Sequence, residues 1–145
     1  MPDYRRGAHT VYDLKYHIVW VTKYRYKVLQ GEIAVATRDL IRQVCQAREI
    51  MIVKGHVSRD HVHLLVSAPP RMSVSQIVQY IKGKTSMQLQ RDFPGLKKRY
   101  WGQHLWARGY FVASSGTVTD AMIKAYIEQQ DLPPEDSFRI ADEQL

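Results

Sequence analysis

His61-Val62-His63 is the segment of this sequence best suited to chemistry. Successive side chains of a strand point to opposite faces, so His61 and His63 share one side while Val62 turns to the other. Two imidazoles about 7 Å apart along one strand face can converge on one metal ion. The pattern alone is not specific: six histidines in 145 residues produce about a quarter of a His-x-His by chance. A metal also needs a third protein ligand, and no neighbouring acid, His or Cys supplies it. Asp60 is expected to face the opposite side of a regular strand. Tyr126 and Gln130 stand four residues apart, which puts them on one face of a helix. Gln130 offers a neutral carbonyl oxygen, and mixed imidazole and oxygen ligation suits Mg²⁺ or Mn²⁺, with zinc still compatible. Tyr126 offers a phenol, although a tyrosine near the end of an amphipathic helix commonly serves packing alone.

The charge balance points to a polyanionic partner. Lys and Arg number 21 against 14 acids, a net charge of +7. The basic residues interleave with aromatic ones. Lys23, Arg25 and Lys27 alternate with Tyr24 and Tyr26, and Lys97-Lys98-Arg99 runs into Tyr100 and Trp101. Cations can track phosphates while aromatic faces stack on unpaired bases. Lys82-Gly83-Lys84 is a third basic segment. Cys45 is the only cysteine, which excludes an internal disulfide and a cysteine zinc cluster. Beside Val44 in a helical pattern, it reads as a small core residue rather than a reactive thiol.

These groups need elements to position them. Tyr12 to Thr22 reads as a buried strand rich in Val, Ile, Tyr and Trp. Glu32 to Glu49 carries Ile33, Leu40, Ile41 and Val44 at helical spacing. Ile50 to Val57 and His61 to Ser67 read as a hairpin across Ser58-Arg59-Asp60. Ser73 caps a helix carrying Val74, Ile77, Val78 and Ile81, which Phe93-Pro94-Gly95 stops. Trp106 to Ala113 is a fourth strand, weakened by Gly109. Thr117 or Thr119 caps a last helix with Met122, Ile123, Tyr126 and Ile127, ended by Asp131-Leu132-Pro133-Pro134. The order β-α-β-β-α-β plus one helix predicts an α+β, ferredoxin-like fold: an antiparallel sheet, RRM-like, with helices on one face. Residues 1–131 are expected to form a single domain and 132–145 a polar, mobile tail. No apolar run is long enough to span a bilayer and the first residues are polar, so a cytoplasmic protein is expected.

Four blocks, in order, resemble the HUH single-tyrosine transposases of simple bacterial insertion sequences. Asp60-His61-Val62-His63-Leu64-Leu65 is similar to their signature strand, and Tyr126-Ile127-Glu128-Gln129-Gln130 to their catalytic helix. Tyr16-His17-Ile18-Val19-Trp20 with Thr22-Lys23-Tyr24-Arg25 resembles their first strand and its exit. Leu105-Trp106 with Arg108-Gly109-Tyr110-Phe111 resembles the approach to their last helix. The likeness runs from about Tyr12 to Gln130; Arg59 departs from it, standing where relatives often have proline.

The resemblance implies that His61, His63 and Gln130 hold a divalent metal, and that Tyr126 attacks a DNA phosphate to form a 5′-phosphotyrosine link with release of a 3′-hydroxyl. It implies a single-stranded DNA substrate with subterminal hairpins, and a homodimer. No family motif assigns the DNA contacts residue by residue; Lys23, Tyr24, Arg25, Lys82, Lys98, Arg99 and Trp101 are the candidates. A non-catalytic RRM-like binding module is the alternative. It accounts for the charge and the fold order, but not for His61, His63, Tyr126 and Gln130 together.

Overall fold

In the computed structural model, which describes residues 4–114 and 120–128, the chain opens with a short antiparallel hairpin, β1 (Arg5–Arg6) and β2 (Val11–Tyr12). No periodicity announces this hairpin. The Arg5 guanidinium ties it to the sheet, donating to the carbonyls of Ser67 at 2.9 Å and Glu49 at 2.8 Å. Tyr12 therefore belongs to the hairpin, and the strand expected from it begins later, as β3 (Lys15–Val21).

Helix α1 (Gly31–Ala47) buries Thr37, Leu40, Ile41, Val44 and Cys45. The expected hairpin follows as β4 (Met51–Val57) and β5 (His61–Ser67), closed by the Ser58 amide donating to the His61 carbonyl at 2.8 Å. Ser73 opens α2 (Val74–Asp92) with a reciprocal cap, its hydroxyl accepting from the Gln76 amide while the Gln76 side chain accepts from the Ser73 amide. Phe93 ends α2 as expected, yet the chain turns at once into α3 (Pro94–Arg99). Proline at a first helical position loses no hydrogen bond, so the same residue that stops one helix starts the next.

The fourth strand, β6 (Phe111–Ser114), is shorter than Trp106 to Ala113. Trp106 makes only an isolated bridge to Thr22, and Gly109 at φ 80° turns the chain between them. Helix α4 (Asp120–Glu128) follows. The caps expected at Thr117 or Thr119, Gln130, the stop at 131–134 and the tail 132–145 lie outside the described residues.

The sheet runs β4-β5-β3-β6 with every pair antiparallel, the strand order of a ferredoxin-like fold. One face carries Ile18, Trp20, Val62, Leu64 and Val66 into a core with Ile41, Val44, Ile77 and Ile81 from α1 and α2. Trp20 and Trp106 meet edge to face there, and the Trp106 indole donates to the Thr85 hydroxyl at 2.9 Å. Among the described residues the other face has no such helical layer; α4 alone packs on it, setting Ile127 against Val19 and Val21, with Phe111 and Tyr126 at the margin. Among the described residues no helix is long and apolar enough to cross a membrane.

Candidate active site

Register decides what surrounds the two histidines. Val19 pairs with His63 and Val21 with His61 across β3 and β5. Directly paired residues project to the same face. Both imidazoles therefore lie on the face that carries α4, beside the valines that Ile127 covers. Both are half-buried, whereas Val62 between them is fully buried in the core.

His61 is oriented by its sequence neighbour. Its Nδ1 lies 2.8 Å from Asp60 Oδ1. An ionised carboxylate only accepts, so the proton sits on Nδ1 and the Nε2 lone pair is left for another partner. Alternation would send Asp60 to the opposite side, but Asp60 precedes β5 and belongs to the turn. That turn is anchored by the Thr22 amide donating to the Asp60 carbonyl at 2.9 Å. Arg25 Nε stands 3.5 Å from the other carboxylate oxygen. Burial alone would raise the Asp60 carboxyl, but the hydrogen bond from His61, the charge His61 carries when protonated, and the charge of Arg25 outweigh it, and the group titrates below its usual value.

His63 has a different neighbour. His17 of β3 sets Nδ1 3.1 Å from His63 Nε2, with ring centroids 5.3 Å apart. One of these nitrogens must carry the proton. A metal held through His63 Nε2 would replace this hydrogen bond, and one held through Nδ1 would keep it. His56 of β4 pairs with His63 from the other side. Sequence reasoning assigned His17 and His56 no part in the site, and only the strand register brings them to it.

Tyr126 reaches the same face from α4 and packs its ring against Phe111, centroids 5.8 Å apart. Burial pushes its phenol above the ordinary value, so it is protonated at neutral pH. Use as a nucleophile requires that the proton be taken away as attack proceeds.

The donor set fits a divalent metal. An imidazole whose second nitrogen donates to a carboxylate is the arrangement that metal-binding histidines use. Among the described residues no group of three or more His, Cys, Asp or Glu could close a site alone. The two imidazoles therefore call for a further donor of another kind, such as a neutral oxygen.

The basic and aromatic candidates converge as well. Lys23–Arg25 is a single 3₁₀ turn, with Tyr24 at φ 61° and Arg25 at φ 56°. Non-glycine residues there carry local strain that surrounding contacts must offset. Tyr24 and Tyr26 lie 5.6 Å apart and Tyr26 and Tyr100 5.5 Å apart. The Lys23 ammonium sits 5.4 Å from the Tyr24 ring and the Arg99 guanidinium 3.9 Å from that of Tyr26. The two clusters, far apart in sequence, thus form one row of rings and cations. Lys98 is exposed beside it, and Trp101 is 88% exposed at φ 58°. Two candidates point elsewhere. Arg25 turns in toward Asp60, its side chain 14% accessible. Lys82 donates to the carbonyls of Ala107 at 2.7 Å and Gly109 at 3.1 Å, pinning the approach to β6.

The family model described as "Transposase IS200 like" matches residues 10–130. The chain is 39% identical over 130 residues to the transposase for insertion sequence element IS200 of Salmonella typhimurium, covering 90% of this chain and 85% of that one. It is 35% identical over 128 residues to the ISDra2 transposase TnpA of Deinococcus radiodurans, covering 88% and 91%. A crystal structure from Deinococcus radiodurans, provisionally described as a transposase, superposes with a TM-score of 0.82 at 36% identity over 89% of this chain and 99% of that one. A REP-associated tyrosine transposase bound to a REP hairpin shares the fold, with a TM-score of 0.56 at 18% identity over 85% and 67%.

Proposed function

This chain belongs to the IS200-like transposase family, and we propose that it cuts and rejoins single-stranded DNA by transesterification with Tyr126 as the nucleophile. The observation that carries this reading is the shared sheet face: α4 brings Tyr126 to the side of the sheet that bears His61 and His63.

The Tyr126 oxygen attacks the scissile phosphorus. A phosphorus–tyrosine bond forms, the bond to the 3′ oxygen breaks, and the phenol proton ends, by way of a base, on the released 3′-hydroxyl. The new phosphotyrosine remains a phosphodiester, so a 3′-hydroxyl can reverse the attack and seal a strand without ATP. His61 and His63, with Gln130 as the oxygen donor, would hold Mg²⁺ or Mn²⁺. Bound there, the ion would polarise the phosphate and offset its developing charge. The row from Lys23 and Tyr24 to Arg99, with Lys98 and Trp101 beside it, is suited to unpaired bases and their phosphates. The REP-associated tyrosine transposase of the same fold is bound to a REP hairpin, which supports a DNA strand with subterminal hairpins as the partner.

A homodimer belongs to the same reading. Among the described residues β4 is a seven-residue edge strand whose Met51 and Val53 are 53% and 48% exposed, and its outer backbone groups can pair with a second copy.

The test is incubation with labelled single-stranded DNA carrying candidate ends, plus Mg²⁺, followed by a denaturing gel. A covalent adduct that maps to Tyr126 is expected. Retention of DNA on a native gel with neither cleavage nor adduct would instead indicate a binding module, and cleavage without an adduct a hydrolase; either result overturns the proposal.

A further inference from the structure

An imidazole can present either ring nitrogen, and in water the Nε2–H form predominates. A strand alone does not choose between them. At His61 the choice is made from outside the strand, because Asp60 Oδ1 lies 2.8 Å from Nδ1. Asp60 is itself only 9% exposed, and its position is set twice. Its carbonyl accepts from the Thr22 amide at 2.9 Å, and its second carboxylate oxygen lies 3.5 Å from Arg25 Nε. Arg25 adopts a left-handed backbone at φ 56° to stand there. An inward-turned guanidinium on a strained backbone has its nearest anionic partner in this carboxylate.

We infer that Asp60 and Arg25 are positioning residues: Asp60 holds His61 as the Nδ1–H tautomer with Nε2 directed to the metal, and Arg25 holds Asp60. The inference rests on the proposed reading in taking His61 as a metal ligand, whereas the tautomer itself does not depend on that reading. It also gives Arg25 a task distinct from the DNA contact its sequence context suggests. A carboxylate that merely closed the turn between β4 and β5 would not select a ring nitrogen.

Two measurements test this. The first is the nitrogen-15 spectrum of histidine-labelled, metal-free protein at mildly alkaline pH. His61 is expected as Nδ1–H in the wild type and as Nε2–H in Asp60→Asn, because the one amide oxygen faces Arg25, which can only donate, and the amide NH2 is left to donate to Nδ1. His61 should revert toward Nε2–H in Asp60→Ala and become mixed in Arg25→Gln. Nε2–H in the wild type overturns the inference without any variant, as does an unchanged Nδ1–H in Asp60→Ala.

The second is calorimetric titration with Mn²⁺ alone. Affinity should fall about 10–100-fold in Asp60→Ala and in Asp60→Asn, and fall about two- to fivefold in Arg25→Gln. His61→Ala is the control. Loss of binding in His61→Ala with none in Asp60→Ala overturns the positioning role and leaves the metal reading standing. Equal binding by wild type and His61→Ala overturns both.

Discussion

The two faces of β5 differ in what they ask of their residues. Val62, Leu64 and Val66 are at most 3% exposed and meet two helices. His61, His63 and Leu65, one residue out of phase, are half-buried on a face where α4 is the one helix packed among the described residues. The first set removes apolar surface from water, and any well-packed apolar side chain of the right volume would serve there. The second set keeps polar side chains near solvent, where they can meet a ligand, and adds little to the core. One strand can therefore hold a stable fold and carry chemistry without conflict between them.

This contrast predicts that substitutions on the open face remove activity and those on the closed face remove stability. The largest expected effect is Tyr126→Phe, which keeps the ring against Phe111 but loses the attacking oxygen. Covalent adduct formation should fall by on the order of 10⁴-fold or more, while a denaturant titration should move by less than about 1.5 kcal/mol. An adduct that persists in this variant would break the assignment.

On the closed face, Trp20→Ala should cost about 3–5 kcal/mol of stability, because Trp20 is wholly buried against Trp106. If urea unfolding shows a loss below about 1 kcal/mol, the two faces are less distinct than the packing implies. Thr85→Val is subtler. It preserves shape but leaves the buried Trp106 indole without the acceptor it uses at 2.9 Å. A loss of about 1–3 kcal/mol is expected in the same assay.

Trp101 tests the comparison from outside both faces. At 88% exposure, its replacement by Ala should change stability by no more than about 0.5 kcal/mol. If it stacks on a base, the same substitution should weaken binding of a single strand by about 1–3 kcal/mol, read by fluorescence anisotropy. Unchanged affinity would remove Trp101 from the proposed DNA surface.

The elements themselves were legible because their signals are local. Alternation places His61 and His63 together and Val62 opposite, and helical spacing marks the buried faces of α1 and α2. Capping chemistry locates the start of α2 at Ser73. One failure was local and the other was not. Trp106 to Ala113 contains enough aromatic residues to read as one strand, but Gly109 confines the ladder to Phe111–Ser114. The hairpin of β1 and β2 carries no apolar repeat and depends on Arg5 reaching carbonyls 62 and 44 residues away.

By itself, then, the sequence determined which side chains share a face of a single strand or helix, since that depends only on separation along one chain. Tertiary structure decided what stands across from them. That His17 meets His63, that Tyr26 joins Tyr24 to Tyr100, and that Lys82 turns inward to Ala107 and Gly109 all follow from register and packing between distant segments. Register is set by burying Val62, Leu64 and Val66 with Ile18 and Trp20. A slip of one residue would exchange the two faces of β5, putting both histidines in the core and the valines in water.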